Sequence, residues 1–325
     1  MSPRKTTQVI SLDSTLPVGG SNRESMRRPL LGRGLVRQSR IAGILFTLPA
    51  TLVFLVVLTY PIFQNVRTTF YSVSLMTGQS KFIGFDNIVQ ILEDQELAKS
   101  VSHTIVWTVA SLVGQIGLGL IAALLIDKPW RGMRFLRTLF LIPYVVPVIA
   151  SALLWQWMLD GHYGIVTEPL HSLGLVSEGM SPLGQESTSL AAAILINIWR
   201  GFPFAMLVFW AAMQTIDQGQ YEAASLDGAG PWRSFISITM PNLMPAVVAL
   251  IALRGIWTLM YFELIWLTTQ GGPMGSSQTV AVYLYKVTMG EFQLGYGAAI
   301  ATVTGLSLLV MIGVIMLFRR WWRNR

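Results

Sequence analysis

Six stretches of this chain are each about twenty residues long, apolar and nearly free of charge. A helix of about 20 residues crosses the roughly 30 Å hydrocarbon core of a bilayer. The stretches run from about Ile41 to Tyr60, Thr104 to Ile126, Leu136 to Met158, Leu190 to Met213, Met244 to Leu267 and Gly297 to Phe318. Pro49, Pro143, Pro147 and Pro203 fall inside them. Membrane helices tolerate such residues where neighbours re-satisfy the backbone. The expected fold class is therefore all-α, a polytopic membrane protein with six transmembrane helices spanning residues 41–318.

Composition narrows the function. Only 12% of the 325 residues are charged, against about 25% in a soluble domain. That share cannot cover a globule of this size with a solvated surface, so a water-soluble enzyme is disfavoured. The absence of cysteine removes disulfides and thiolate chemistry. His103, His162 and His171 are too scattered for a metal cluster. The first stretch starts too late and is too long for a cleavable signal peptide.

The net charge of +7 is distributed by side of membrane. Seventeen of the 23 Lys and Arg lie in residues 1–40, in 127–137, at Arg233, and at Arg319, Arg320, Arg323 and Arg325. The opposite side holds four: Arg67, Lys81, Lys99 and Lys286. By the positive-inside rule both termini are expected in the cytoplasm. Residues 1–40 read as a disordered basic tail and 319–325 as a basic cytoplasmic end. The outer segment 159–189 carries Asp160, Glu168, Glu178 and Glu186 and no Lys or Arg.

The inner loop 218–241 is more than a connector. Glu222, Ala223 and Ala224 favour helix, Gly228-Ala229-Gly230 breaks it, and Pro231 suits the first turn of a second helix. The expected form is a helix-turn-helix against the inner membrane face. It could serve as an interfacial connector or as a docking site. Small residues at Ala223, Ala224 and Ala229 would let a partner approach closely.

The order Glu222-Ala223-Ala224, Asp227-Gly228-Ala229, then Met240-Pro241 resembles the EAA loop of permease subunits in bacterial ATP-binding-cassette importers. Phe82-Ile-Gly-Phe-Asp-Asn87, Arg137-Thr-Leu-Phe-Leu-Ile-Pro143, Trp199-Arg-Gly-Phe-Pro-Phe204, Thr268-Thr-Gln-Gly-Gly-Pro273 and Gly295-Tyr-Gly-Ala-Ala299 extend the likeness over about residues 41–320. They are similar to the carbohydrate-type permeases that include the maltose and glycerol-3-phosphate systems. Gln270 stands where that family usually has Gly, and Met240 where it usually has Leu.

The resemblance implies a type I importer permease fold in the bacterial inner membrane, with the coupling helix seated on an ATPase subunit. Glu222, Ala223, Ala224, Asp227, Gly228, Ala229 and Pro241 would then form the coupling site. Glu222 would meet an ATPase arginine, Asp227 would cap the turn, and Gly228 would allow the turn or make room for the partner. The implied partners are a second, related permease, two ATPases and an extracytoplasmic binding protein. The chain has no G-x-x-x-x-G-K-[ST] loop. ATP and Mg would therefore sit on the partner ATPases, with no cofactor and no catalytic or metal residue on this chain.

Polar groups within spans are costly and often functional. Gln115, Gln156, Asn197, Arg200, Arg254 and Glu263 are candidates for a solute path, with Tyr261, Trp155, Trp157, Trp199 and Trp266 as possible sugar-stacking rings. For Arg254 and Glu263 structural packing between subunits is the leading alternative, and interface anchoring accounts for most of the rings equally well. Arg254 and Glu263 lie nine residues apart, about 180° around one continuous helix, and are not expected to pair on one face. An ion-driven secondary transporter is the alternative, but no internal repeat is seen and Glu263 is the sole acid inside a span. A membrane-embedded enzyme would need His, Asp or Glu gathered at one depth, a pattern not found.

Overall fold

In the computed structural model, residues 33–73, 79–128 and 131–323 are described. Residues 1–32, on which most of the tail expectation rests, lie outside them. Helix α1 (Arg33–Thr68) starts before the expected Ile41 and continues past Tyr60. The part up to Tyr60 forms one unit and residues from Pro61 the other. In the first unit, every side chain from Leu45 to Tyr60 is exposed.

In the second unit a short antiparallel pair, β1 (Tyr71–Val73) and β2 (Ser80–Phe82), sets Tyr71 opposite Phe82. It is followed by α2 (Asp86–Glu93) and α3 (Gln95–Ile126). Asp94 N-caps α3, accepting from the backbone N–H groups of Glu96 and Leu97 at 2.9 Å. This cap extends α3 nine residues beyond its expected start at Thr104.

The third expected span is not one straight helix. Helices α4 (Met133–Val145) and α5 (Val148–Met158) are bent by 99° at Val146-Pro147. Proline offers no N–H and pushes the residue before it out of helical geometry. Val146 is accordingly extended, at φ −64° and ψ 130°. Residues between α5 and the fourth span form α6 (Thr167–Ser172) and a short 3-10 turn at Pro182–Gly184.

Helix α7 (Ser189–Met213) agrees with the fourth expected span. It packs along α3, where a Cβ on Gly119 would lie 2.5 Å from Ala205 Cβ and one on Gly114 would lie 2.3 Å from Ile198 Cδ1. Small residues let helix backbones approach closely in a setting where lipid offers no hydrophobic drive to association. Ala122, Ala123, Ile126, Met206, Phe209, Leu243 and Leu250 form the buried cluster at one end of this pair. Trp107, Ala193, Ile196, Leu264 and Ile265 belong to a second cluster.

After α8 (Gln218–Leu226), α9 (Pro231–Ser234) runs through a π-helical turn, Phe235–Thr239, into α10 (Met240–Leu259). The fifth span thus stops at Leu259 and not at Leu267. Residues 264–268 belong to a separate helix, α11 (Glu263–Thr268). Helix α12 (Val280–Tyr285), a second π turn at Lys286–Gly290 and α13 (Leu294–Arg323) complete the described residues. Among the described residues, five helices are long and apolar enough to cross a membrane, or six if the bent α4–α5 pair is counted as one.

Candidate functional site

Two regions carry the residues singled out by sequence. The first is the turn after α7. Asp217 N-caps α8 through the Gly219 N–H at 3.0 Å. At the other end, the Ala229 N–H donates to Ala224 O at 2.9 Å and the Gly228 N–H to Ser225 O at 3.1 Å. That crossed pair is a Schellman closure, which requires a left-handed residue after the helix. Gly228 supplies it at φ +75°, and a Cβ there would meet nothing within 4 Å. Inside this chain the constraint at Gly228 is therefore the turn itself.

Asp227 occupies the C-cap, and its capping is done by its backbone N–H, which donates to Ala223 O at 3.1 Å. Tyr221 and Thr239 share a 2.8 Å hydroxyl contact that ties α8 to the π turn, and Asn242 Nδ2 donates to Gln220 Oε1 at 3.3 Å. Glu222, Ala223 and Pro241 are exposed, and Ala224 and Ala229 are half-buried. Leu226 is 89% and Trp232 73% exposed. This places two large apolar side chains on either side of the turn.

The second region is a cavity of about 400 Å³ between α4, α7 and α10. Tyr144, Asn197, Arg200, Arg254, Trp257, Thr258 and Tyr261 are among its lining. Arg200 lies eleven residues into the 25-residue α7, near its middle. Its Nη1 donates to Tyr261 Oη at 3.0 Å and its Nη2 to Val146 O at 3.3 Å. Val146 can accept because the proline break leaves its segment extended. Arg254 donates from Nε and Nη2 to Gln115 Oε1 at 3.0 and 2.8 Å. Gln115 in turn donates to Asn197 O at 3.0 Å.

Gly201 makes this arrangement possible. A Cβ there would fall 2.3 Å from Gln115 Cδ and 2.4 Å from Arg254 Nη2. Among the lining residues, two buried donors remain without a partner, Asn197 Nδ2 and Arg200 Nε.

Asn197, Arg200 and Tyr261 thus share one cavity. Gln156 does not join them. Its Nε2 donates to the carbonyls of Leu267 and Thr268 at 3.0 and 3.1 Å, tethering α5 to the end of α11. Glu263 is exposed at the start of α11 and is not among the lining residues. The break at Met260–Phe262 removes the continuous helix on which its 180° relation to Arg254 depended.

Trp155 and Trp199 meet edge to face at 5.5 Å, and Trp266 packs against Phe262 and Tyr285. Trp157 is 72% exposed. None of these four is among the cavity-lining residues. Tyr144 and Trp257 were not singled out from the sequence. Trp257 lies three residues after Arg254, on the same helix face, which is a legible signal. Tyr144 has none, because its position depends on the 99° bend.

Other motifs make contacts away from this cavity. Asn87, ending the Phe82–Asn87 motif, is buried and donates to Thr69 O at 2.8 Å and Tyr71 O at 3.2 Å. In the Thr268–Pro273 motif Gln270 sits at φ +53°. Gln278 Nε2 donates to Glu96 Oε1 and Ser100 Oγ, pinning this segment to α3. Asp94 accepts from Tyr283 and Tyr296 hydroxyls. Burial would raise the Asp94 carboxyl, but these hydroxyls and the two backbone N–H donors together hold it below its ordinary value.

A sequence model of the family described as "Binding-protein-dependent transport system inner membrane component" matches residues 115–324. The chain is 33% identical over 293 residues to the sulfoquinovosyl glycerol transport system permease protein SmoG of Agrobacterium fabrum, covering 90% of this chain and 94% of that one. It is 30% identical to the diacetylchitobiose uptake system permease protein DasB of Streptomyces coelicolor, covering 89% and 88%. Among solved structures, a bacterial ABC transporter involved in the import of the acidic polysaccharide alginate superposes with a TM-score of 0.76. That pair is 22% identical and covers 88% of this chain and 98% of the other, a likeness of fold.

Proposed function

The chain belongs to the family of binding-protein-dependent transport system inner membrane components, and on that premise we propose how it works within an ATP-driven importer. It is a membrane permease of the carbohydrate ABC-importer kind, and not an enzyme. Its task is to carry a sugar or sugar-like solute, delivered by an extracytoplasmic binding protein, through the cavity beside α7 and α10. The energy comes from two separate ATPase subunits that hold ATP and Mg. A second, related permease completes the pathway, and both termini lie in the cytoplasm.

The observation that carries this reading is the α8–α9 turn. Its backbone is locked by the Gly228 closure and by Tyr221–Thr239, while Leu226 and Trp232 stand exposed beside it. A rigid turn bearing uncovered apolar side chains is suited to receive force from a partner protein. Glu222, Ala223, Ala224, Asp227, Gly228, Ala229 and Pro241 form the contact. Ala223 presents no bulk, and Glu222 offers a carboxylate to a partner arginine. Closure of the ATPases would push the turn and, through the unbroken helical path from Pro231 to Leu259, bias the membrane helices between two arrangements.

Because the chain lacks cysteine, Ala224→Cys introduces a unique thiol. In native membranes it is expected to crosslink to a P-loop ATPase subunit, and Gly228→Asp is expected to abolish uptake while the chain still inserts. Capture of no such subunit, or labelling of the thiol only from the outer side, would overturn the reading.

A further inference from the structure

The cavity between α4, α7 and α10 has a one-sided chemical inventory. Two guanidinium groups line it, those of Arg200 and Arg254. Arginine donates and never accepts, and it stays charged. Each is held by uncharged groups: Arg200 by Tyr261 and Val146, Arg254 by Gln115 and by the ring of Phe204, whose centroid is 6.0 Å from its Cζ. No carboxylate is among the lining residues. The one acid nearby in sequence, Glu263, is exposed on α11. Two like charges facing one space within apolar spans are costly unless a counter-charge is present.

The unused groups point the same way. Asn197, 2% exposed, lines the cavity and leaves its Nδ2 without a partner, and Arg200 Nε is likewise buried and unpartnered. Both are donors. The cavity volume of about 400 Å³ is within the range of small-molecule sites. The rings of Tyr144, Tyr261 and Trp257 line it as well, and such rings combine an apolar face with a polar edge suited to sugars. We propose that the solute carried here is an acidic saccharide, whose carboxylate, sulfonate or phosphate is received between Arg200 and Arg254. Gln115 and Gly201 are positioning residues that aim the Arg254 guanidinium. The inference rests on the importer reading above and adds the charge of its cargo.

The test measures the cavity itself. The complete importer, purified into nanodiscs without its binding protein, is examined by saturation-transfer NMR with D-glucuronate and D-glucose as probes. Transfer is expected to glucuronate and not to glucose. The double variant Arg200→Gln/Arg254→Gln should weaken the glucuronate signal by at least about tenfold. Arg254→Lys, which keeps the charge, should retain more of it than Arg254→Gln. Thermal unfolding of each variant separates lost binding from lost structure. Equal transfer to both sugars, or an undiminished glucuronate signal in a folded double variant, would overturn the inference. Co-purification of the ATPase subunits is scored separately, so failure of the importer reading is distinguishable from failure of the anion site.

Discussion

Arg254 reaches across from α10 to α3 and donates from both Nε and Nη2 to a single oxygen, Oε1 of Gln115, at 3.0 and 2.8 Å. The contact fixes a cation without neutralising it. It also depends on Gly201 of α7, where a methyl group would strike both partners.

Gly201→Ala and Gln115→Leu should therefore act on the same guanidinium by different routes. The alanine overpacks the contact, at a cost of about 1–3 kcal/mol. The leucine leaves a buried cation without its acceptor, at about 1–2 kcal/mol. Thermal unfolding of the purified chain in detergent measures both. Because they act through one contact, the double variant should lose less than the sum of the two.

Gly228→Asn and Gly228→Val separate the two readings of that glycine. The position is left-handed, at φ +75° with open space around it. Asparagine tolerates that region, whereas a β-branched residue there is an outlier. The valine variant should lose about 1–2 kcal/mol, and the asparagine variant should unfold close to the native chain. Loss of solute uptake in the stable asparagine variant would mark contact with the partner as the second constraint.

Gln270 holds φ +53°, in the left-handed region that favours glycine. Gln270→Gly removes the left-handed penalty and adds chain entropy to the unfolded state, and the two effects oppose. The backbone term is the larger for a non-glycine residue in this region. A net gain of up to about 1 kcal/mol is expected, read as a higher unfolding temperature.

Asp94 makes the chain acid-sensitive. Burial acts to raise its carboxyl, yet the hydroxyls of Tyr283 and Tyr296 and the N–H groups of Leu97 and Glu96 outweigh that and depress it. A depressed folded value means the contribution is complete above the unfolded carboxylate value and is lost as pH falls through the folded one. The loss should therefore begin below about pH 4. Unfolding temperature measured from pH 7 down to pH 3 should fall in that window. Asp94→Asn, which keeps an oxygen to cap α3, should flatten the fall.

The apolar runs, the fourth span and the helix-turn-helix at 218–241 were legible because each is set locally. Twenty apolar residues leave a helix little alternative in lipid, and a Gly-x-Gly-Pro break is written in consecutive residues. The EAA-type pattern likewise lies within one short segment. The span ends were less legible, since the Asp94 cap moves one boundary by nine residues and the break at Met260–Phe262 ends another early.

What residue order could not decide is which polar groups meet. Gln115, Asn197, Arg200 and Arg254 were all marked as candidates, as were Gln156 and Glu263. Gln115, Asn197 and Arg254 are joined by hydrogen bonds and Arg200 shares the cavity lining with Asn197 and Arg254, on three helices whose bonded residues lie up to 139 positions apart. Helical periodicity tells which residues share a face of one helix. Which faces then meet is set by close approach at small residues such as Gly119 and Gly201, and by the 99° bend at Val146-Pro147. The sequence by itself determined that this chain enters a membrane and carries the turn. Only tertiary packing gathered two arginines around one space, because that proximity is a sum over contacts between residues far apart along the chain.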